Sequence, residues 1–276
     1  MEFPPLLGEI PDPPKHLYVR GELPSFDHAW LAVVGSRAVT PYGRQVCDYL
    51  IEGLRGYPIV IVSGLAYGID AHAHKAALNA GLKTVAVPGS GLNWDVMYPK
   101  ANVNLAREII KSGGAHLSEF DPDQTARDHT FPQRNRIMAG MCKATLVIEA
   151  KERSGSLITA RLATEYNREL LVVPGSIFSD ASRGTHQFLK LGATPVTEPA
   201  DTLRALGIEA KEKEAHIRDD LSFDEARVLD IISNPCSRDE LLVALELPIS
   251  DANILLSTME IKGLIKEELG LVRHNI

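Results

Sequence analysis

The sequence predicts an α/β fold: a doubly wound, mostly parallel sheet, followed by a small unit of three helices and a hairpin. Short continuous apolar runs recur between residues 31 and 173, and most of them end in Gly, Ser or Pro. Strands buried on both faces read this way, because neither face is left for polar residues. Stretches of helical periodicity separate the runs, and such alternation marks βαβ units. Beyond residue 220 the pattern changes to short helices opened by capping boxes.

Residues 1 to 30 hold many prolines and few periodic segments, and are expected to form an irregular lead-in packed along the next domain. That domain spans residues 31 to 200. Its strands are expected at Leu31-Ala32-Val33-Val34, Ile59-Val60-Ile61-Val62, Thr84-Val85-Ala86-Val87, Leu146-Val147-Ile148 and Leu170-Leu171-Val172-Val173. Helices are expected from Tyr42 to Leu54, Ile69 to Asn79, Asn102 to Lys111, Pro132 to Cys142 and Ser156 to Tyr166. Chain chirality makes the crossovers right-handed. Residues 201 to 220, with the run Glu209-Ala210-Lys211-Glu212-Lys213-Glu214, read as a charged linker. Residues 221 to 276 then read as a winged-helix-like domain, its first two helices opened by Ser222 with Glu225 and Ser237 with Glu240. From Ser222 to Ile276 ten Asp/Glu stand against five Lys/Arg, and the third helix has no cation before Lys262. Poor phosphate neutralisation follows, so this unit is expected to contact protein.

The 276 residues are 45% hydrophobic and 24% charged, enough for a full core and for one large and one small domain. No apolar run approaches the roughly 20 residues of a membrane helix, and the Pro-rich start lacks a basic leader. A cytoplasmic location is expected. Cys47, Cys142 and Cys236 lie far apart without Cys-x-x-Cys spacing, which speaks against a disulfide framework and a zinc site. The net charge of −7 disfavours a polyanionic partner, but between Arg127 and Arg153 six Lys/Arg stand against three Asp/Glu.

In open α/β sheets the binding crevice lies beyond the carboxyl ends of the strands. The loops there read Gly35-Ser36-Arg37, Ser63-Gly64-Leu65-Ala66-Tyr67-Gly68, Pro88-Gly89-Ser90-Gly91, Ser118-Glu119 and Pro174-Gly175-Ser176. Small residues let a ligand approach the backbone, and free N–H groups form anion-binding nests; the competing reading is that Gly and Pro merely turn the chain. Phe131-Pro132-Gln133-Arg134-Asn135-Arg136-Ile137 and the turn Ser154-Gly155-Ser156 stand out. Guanidinium forks and helix-start N–H groups hold phosphate, and an aromatic beside them stacks a base. Equally, Arg134 and Arg136 read as solvated helix residues and Phe131 as a core anchor. No Gly-x-Gly-x-x-Gly follows the first strand and no Gly-x-x-x-x-Gly-Lys-Ser/Thr occurs, so dinucleotide and ATP binding are not expected. His72 and His74, two apart on a helix, point to different sides and do not suggest a metal pair. Asp70 reads as an early-helix acid that complements the dipole or orients the Ser63-Gly64 loop. Glu119 and Glu149 are the one conceivable acid and base pair, without a recognisable nucleophile around them.

Taken together, these residues resemble the DprA (Smf) family of DNA-processing proteins. The carriers, from Leu31 to Glu198, are Gly35-Ser36-Arg37 with Tyr42-Gly43, Ser63-Gly64-Leu65-Ala66-Tyr67-Gly68-Ile69-Asp70 with Ala73-His74, and Gly91-Leu92 with Tyr98-Pro99. Ser118-Glu119, the Phe131 to Ile137 stretch, Glu149-Ala150, Ser154-Gly155-Ser156-Leu157 with Thr159-Ala160, and Pro174-Gly175 complete the set. The resemblance implies an extended Rossmann-like domain that binds single-stranded DNA, forms a homodimer and loads the RecA recombinase onto incoming DNA in natural transformation and recombination. With the nucleotide fingerprints, metal-ligand spacing, catalytic constellation and membrane-length runs all missing from the sequence, a non-enzymatic protein without cofactor, metal or membrane partner is expected. By position in the motifs, Arg37, Arg134, Asn135 and Arg136 would line the DNA pocket with Gly35 and Phe131 beside them. Ser36, Ser63, Gly64, Ser154, Gly155 and Ser156 would supply donors to phosphate. His186 stands where relatives carry Asn, and residues 1 to 30 leave no room for the helical N-terminal module of many relatives. The alternative is a Rossmann-like nucleotide phosphoribohydrolase, with Glu119 or Glu149 as its acid.

Overall fold

A computed structural model describes residues 4–210, 221–232, 234–268 and 270–274. The chain divides into two units, Met1–Ala210 and Lys211–Ile276. In the first, β1 (Tyr18–Gly21) precedes β2 (Ala29–Val34), α1 (Pro41–Glu52), β3 (Ile59–Ser63) and α2 (Ile69–Asn79). Then come β4 (Lys83–Ala86), α3 (Val103–Lys111), β5 (Ala115–Ser118), α4 (Thr130–Met141) and β6 (Ala144–Val147). The unit closes with α5 (Ser156–Glu165), β7 (Glu169–Val172), α6 (Arg183–Lys190), β8 (Thr194–Pro195) and α7 (Pro199–Ala205).

The apolar runs form strands because both of their faces are covered. Along β2, Leu31 and Val33 point into one buried cluster with Leu50 and Ile51 of α1 and Ala73 of α2. Ala32 and Val34 point into the other, with Ile137 and Met138 of α4 and Leu157 of α5. Three layers result, and each fully buried Leu or Ile contributes roughly 1.5–3 kcal/mol from area removed from water. Cys47 and Cys142 lie buried on the two sides as small hydrophobes.

The sheet runs β1-β5-β4-β3-β2-β6-β7-β8, parallel throughout except for β1 against β5. This is a Rossmann-like order extended at both edges. Strand β2 pairs with β3 on one side and β6 on the other, so the winding reverses between β2 and β6. The Thr40 hydroxyl accepts from the Gly43 N–H to cap α1, and Glu149, beyond β6, accepts from the Thr40 N–H at 3.1 Å. A Cβ at Gly43 would come within 2.2 Å of that carboxylate, so the glycine lets β6 and α1 meet.

Two boundaries differ from the sequence expectation. The lead-in is not wholly irregular, since Tyr18–Gly21 completes the sheet against β5, and Leu7 and Ile10 pack into the α4 side of the core. It escapes notice because an edge strand paired on one side needs no apolar run. Of the expected linker, residues 201 to 205 belong to α7, whose Leu203 is buried with Leu206 against the α1 side. Residues 211 to 220 lie outside the described residues.

The second unit holds α8 (Phe223–Ile231), β9 (Cys236–Ser237), α9 (Arg238–Leu245), α10 (Ile249–Ile261), β10 (Ile265–Glu268) and β11 (Leu271–His274). Both capping boxes form, with Ser222 accepting from the Glu225 N–H and Ser237 from the Glu240 N–H. Val228, Leu241, Leu256, Met259 and Val272 share one core beneath an antiparallel sheet of order β10-β11-β9. Arg238 ties the unit together by reaching Asn253 and Glu267. Among the described residues no single helix is long and apolar enough to cross a membrane.

Candidate functional site

Where the winding reverses, the chain beyond β2 and β6 opens into a cleft of about 540 Å³. Its walls are Gly35, Ser36 and Arg37 after β2, Ala66 and Asp70 at the start of α2, and Phe131, Arg134 and Asn135 on α4. Lys151, Arg153, Ser154, Gly155, Ser156 and Thr159 close it around the start of α5.

Arg134 forms the floor. It is buried, donates through Nη1 to the Val87 carbonyl, and lies against Gly64, where a Cβ would come within 2.0 Å of the guanidinium. The glycine after β3 is thus required by the arginine from α4. Burial pulls the Arg134 guanidinium down to about 10, with Asp70 opposing the shift and Arg37 adding to it. Asp70 is also buried, which raises its carboxyl while Arg134 draws it back. The two groups act on each other inside the protein, each opposing the shift that burial imposes on the other. Arg134 therefore staples α4 to the loops after β3 and β4 and offers little freedom to follow a ligand.

Arg37, Lys151 and Arg153 are exposed at the rim, and among the described residues none of them pairs with a carboxylate. Arg37 lies 5.2 Å from the centroid of the Phe131 ring, within cation–π range. Phe131 itself is half-buried and outside the core clusters, with its ring edge over Gly89, where a Cβ would meet it at 2.6 Å. On the opposite wall the Ser154 and Ser156 hydroxyls bond each other at 2.7 Å, and Asn135 Nδ2 donates to the Gly155 carbonyl at 3.3 Å. A Cβ at Gly155 would meet nothing within 4 Å, so this turn faces open space. The buried Thr159 hydroxyl has no partner among the described residues. A helix start with three cations around it that have no carboxylate partner among the described residues, and with the unpartnered Thr159 hydroxyl beside it, is an anion-binding arrangement.

Residues 1–207 match the family described as DNA recombination-mediator protein A. The chain belongs to that family. Protein Smf of Escherichia coli (strain K12) is 45% identical over 204 residues, 74% of this chain and 54% of that protein. The chain thus spans about half the length of that relative. The X-ray structure of DNA processing protein A (DprA) from Streptococcus pneumoniae is 44% identical with a TM-score of 0.68, covering 73% of this chain and 70% of that one. DNA processing protein A from Helicobacter pylori, whose structure concerns a unique single-stranded DNA binding mode, is 31% identical with a TM-score of 0.66 over 75% and 93%. For the recombination-mediator family match, every matched residue lies in the first unit.

Three of the residues expected in the site of this family member do not border the cleft. Arg136 pairs with Glu119 through Nη2 and approaches Asp12 at 3.6 Å. Two positions along a helix separate it from Arg134, so the two side chains leave α4 on different sides. Ser63 is fully buried and donates to the Val33 carbonyl at 2.6 Å, which removes its hydroxyl as a ligand donor. Gly64 serves Arg134 as described. The Ser36 hydroxyl does border the cleft but closes its own turn on Ala38. Glu119 and Glu149 are not brought together: burial raises the Glu119 carboxyl against the pull of Arg136, whereas Glu149 braces Thr40. His72 faces Asp48 at 2.9 Å while His74 turns inward to Thr84 at 2.7 Å, and His186 reaches the Gly175 carbonyl. Sequence reasoning overlooked Lys151 and Arg153 as site residues. Their signal was position, directly after a strand that flanks the reversal of winding.

Proposed function

We propose that the chain binds single-stranded DNA in this cleft and passes it to the RecA recombinase in natural transformation and DNA recombination, acting as a binding protein rather than an enzyme. One observation carries the reading: Arg37, Lys151 and Arg153 stand exposed at a single sheet edge, around the start of α5 and beside the Phe131 ring. Cations and the positive end of a helix suit phosphates, while an aromatic face suits an unpaired base that a duplex would keep stacked. Membership of the recombination-mediator family supports the hand-over, and action in the cytoplasm accords with it. Assembly as a homodimer belongs to the same reading. Ile177, Phe178 and Leu191, exposed at 75%, 91% and 80%, offer apolar area on the first unit for a second copy to cover.

Titration of a labelled oligothymidine against a duplex of equal length, followed by anisotropy, tests the proposal. Tighter binding of the single strand is expected, and equal or weaker binding would overturn it. The hydrolase alternative needs Glu119 or Glu149 as its acid, and neither carboxylate borders the cleft. Release of free base from nucleoside monophosphates would restore that alternative.

A further inference from the structure

A row of rings leads out of the cleft. The Phe131 ring lies 5.8 Å from that of Tyr98, and Tyr98 lies 6.4 Å from Tyr67, edge to face. Tyr67 and Tyr98 do not line the cleft, yet they are 45% and 43% exposed. Among the described residues neither phenol hydroxyl has a hydrogen-bond partner. Tyr42, exposed to a similar 46%, contrasts with them because its hydroxyl donates to the Pro174 carbonyl at 2.6 Å. Tyr42 thus has a structural task that Tyr67 and Tyr98 lack.

The two tyrosines are also held at a fixed spacing. Tyr67 sits in the loop after β3, between the fully buried Leu65 and Ile69, and Tyr98 follows the fully buried Met97. Asn102 joins the two segments, because its Nδ2 donates to the carbonyls of Leu65 at 2.8 Å and Ala66 at 3.1 Å. Rings that are fixed and half in water are pre-organised for a flat ligand, since little side-chain freedom is left to lose on binding. The cations lie elsewhere, with Arg37, Lys151 and Arg153 around the cleft itself. Phosphate-holding and base-holding groups are therefore segregated, and Arg37 over Phe131 stands at the junction.

We infer that Tyr98 and Tyr67 continue the cleft as a base-stacking track, on which nucleotides leaving the Phe131 position lay successive bases. This rests on the single-strand reading given above. It extends the binding surface beyond the cleft along a path that a duplex, with its bases already stacked, cannot use. Stacking is tolerant of sequence because every base has a π-face, so the track would lengthen the footprint without selecting a motif.

Tyr67→Ala, Tyr98→Ala and the two Tyr→Phe variants test the inference, with oligothymidines long enough to pass the cleft and the same oligomers carrying abasic sites. Each Ala variant should bind the intact strand about tenfold more weakly, with the slope of log K against log salt unchanged. The Phe variants should bind as the parent does, because the ring and not the hydroxyl is used. On the abasic strand the parent should lose affinity and the Ala variants should lose little more. Wild-type affinity in both Ala variants, an equal loss on intact and abasic strands, or a loss in the Phe variants would each overturn the track. Equal melting temperatures show that the variants are folded, as exposed positions lead one to expect. Failure of the unmodified protein to bind any single strand would instead remove the underlying reading. Intact binding that Arg37→Ala weakens and the tyrosine variants do not would remove the track alone.

Discussion

Arg134 and Arg136 are two letters apart and chemically identical, yet one is the buried floor of the cleft and the other is tied to Glu119 on another side of α4. The sequence displayed both as cations at a helix start. The rule that separates His72 from His74, that residues two apart do not share a helix face, separates these arginines as well. What it could not show was which of them turns inward, because that depends on Gly64 arriving from a different strand. Among the described residues that line the cleft, the cations free to meet phosphate are Arg37, Lys151 and Arg153. Replacing each by Ala should weaken single-strand binding and flatten the salt dependence by roughly 0.7 per lost contact. Arg136→Ala should leave that slope unaltered. It should cost about 1–3 kcal/mol of stability by leaving the Glu119 carboxylate without its partner, measured by urea unfolding. Gly64→Ala should lower both stability and affinity, since the added methyl group displaces the guanidinium that holds α4 to β4. Unchanged melting of Gly64→Ala would show that Arg134 is not fixed in this way.

At the scale of elements, the strands that read clearly were those with a nearly continuous apolar run, because burial on both faces is itself what the run reports. β1 and β8 sit at the two edges of the sheet and carry no such run, so pairing alone defines them. The layer over β4 and β5 holds a feature that periodicity could not reveal. His74 of α2 and His116 of β5 are both fully buried. Burial pushes His74 from 6.5 down to about 3, with the neighbouring His116 adding to the shift. Burial likewise takes His116 to about 4, although its bond to the Ala106 carbonyl opposes this. Both are neutral in the folded protein at neutral pH, and the unfolded chain binds more protons once pH falls below 6.5. Stability is therefore full above 6.5 and falls with pH until the folded values near 4 and 3 are reached. Between pH 7 and pH 5 the loss should be about 2 kcal/mol for each histidine. Asp70, raised by burial, works in the opposite direction. The comparison of His74→Asn with the parent in urea at both pH values isolates the histidine. A variant with the parent's full pH dependence would show that His74 is not the group responsible.

At the scale of the whole molecule, the family match accounts for the first unit and leaves the second to be explained by its own surface. It holds three helices and a small antiparallel sheet, and its third helix carries no cation. α10, from Ile249 to Ile261, contains no Lys or Arg, and its exposed residues include Ile254 at 66% and Ile261 at 88%. Arg238 is engaged with Glu260 and Glu267, and Lys262 reaches Glu225 at 2.7 Å, so these cations are already neutralised within the unit. A helix that displays apolar side chains and no positive charge gains nothing from counterion release, which supplies most non-specific affinity for nucleic acid. It suits a protein surface better, where apolar contact is the main source of binding energy. Ending the chain after Asp220 should therefore leave single-strand affinity within about tenfold of the parent, with the same salt slope. The first unit has its own buried clusters and should melt as a cooperative domain without the second. A larger loss of affinity, with melting unchanged, would mean that the second unit binds DNA through groups other than α10.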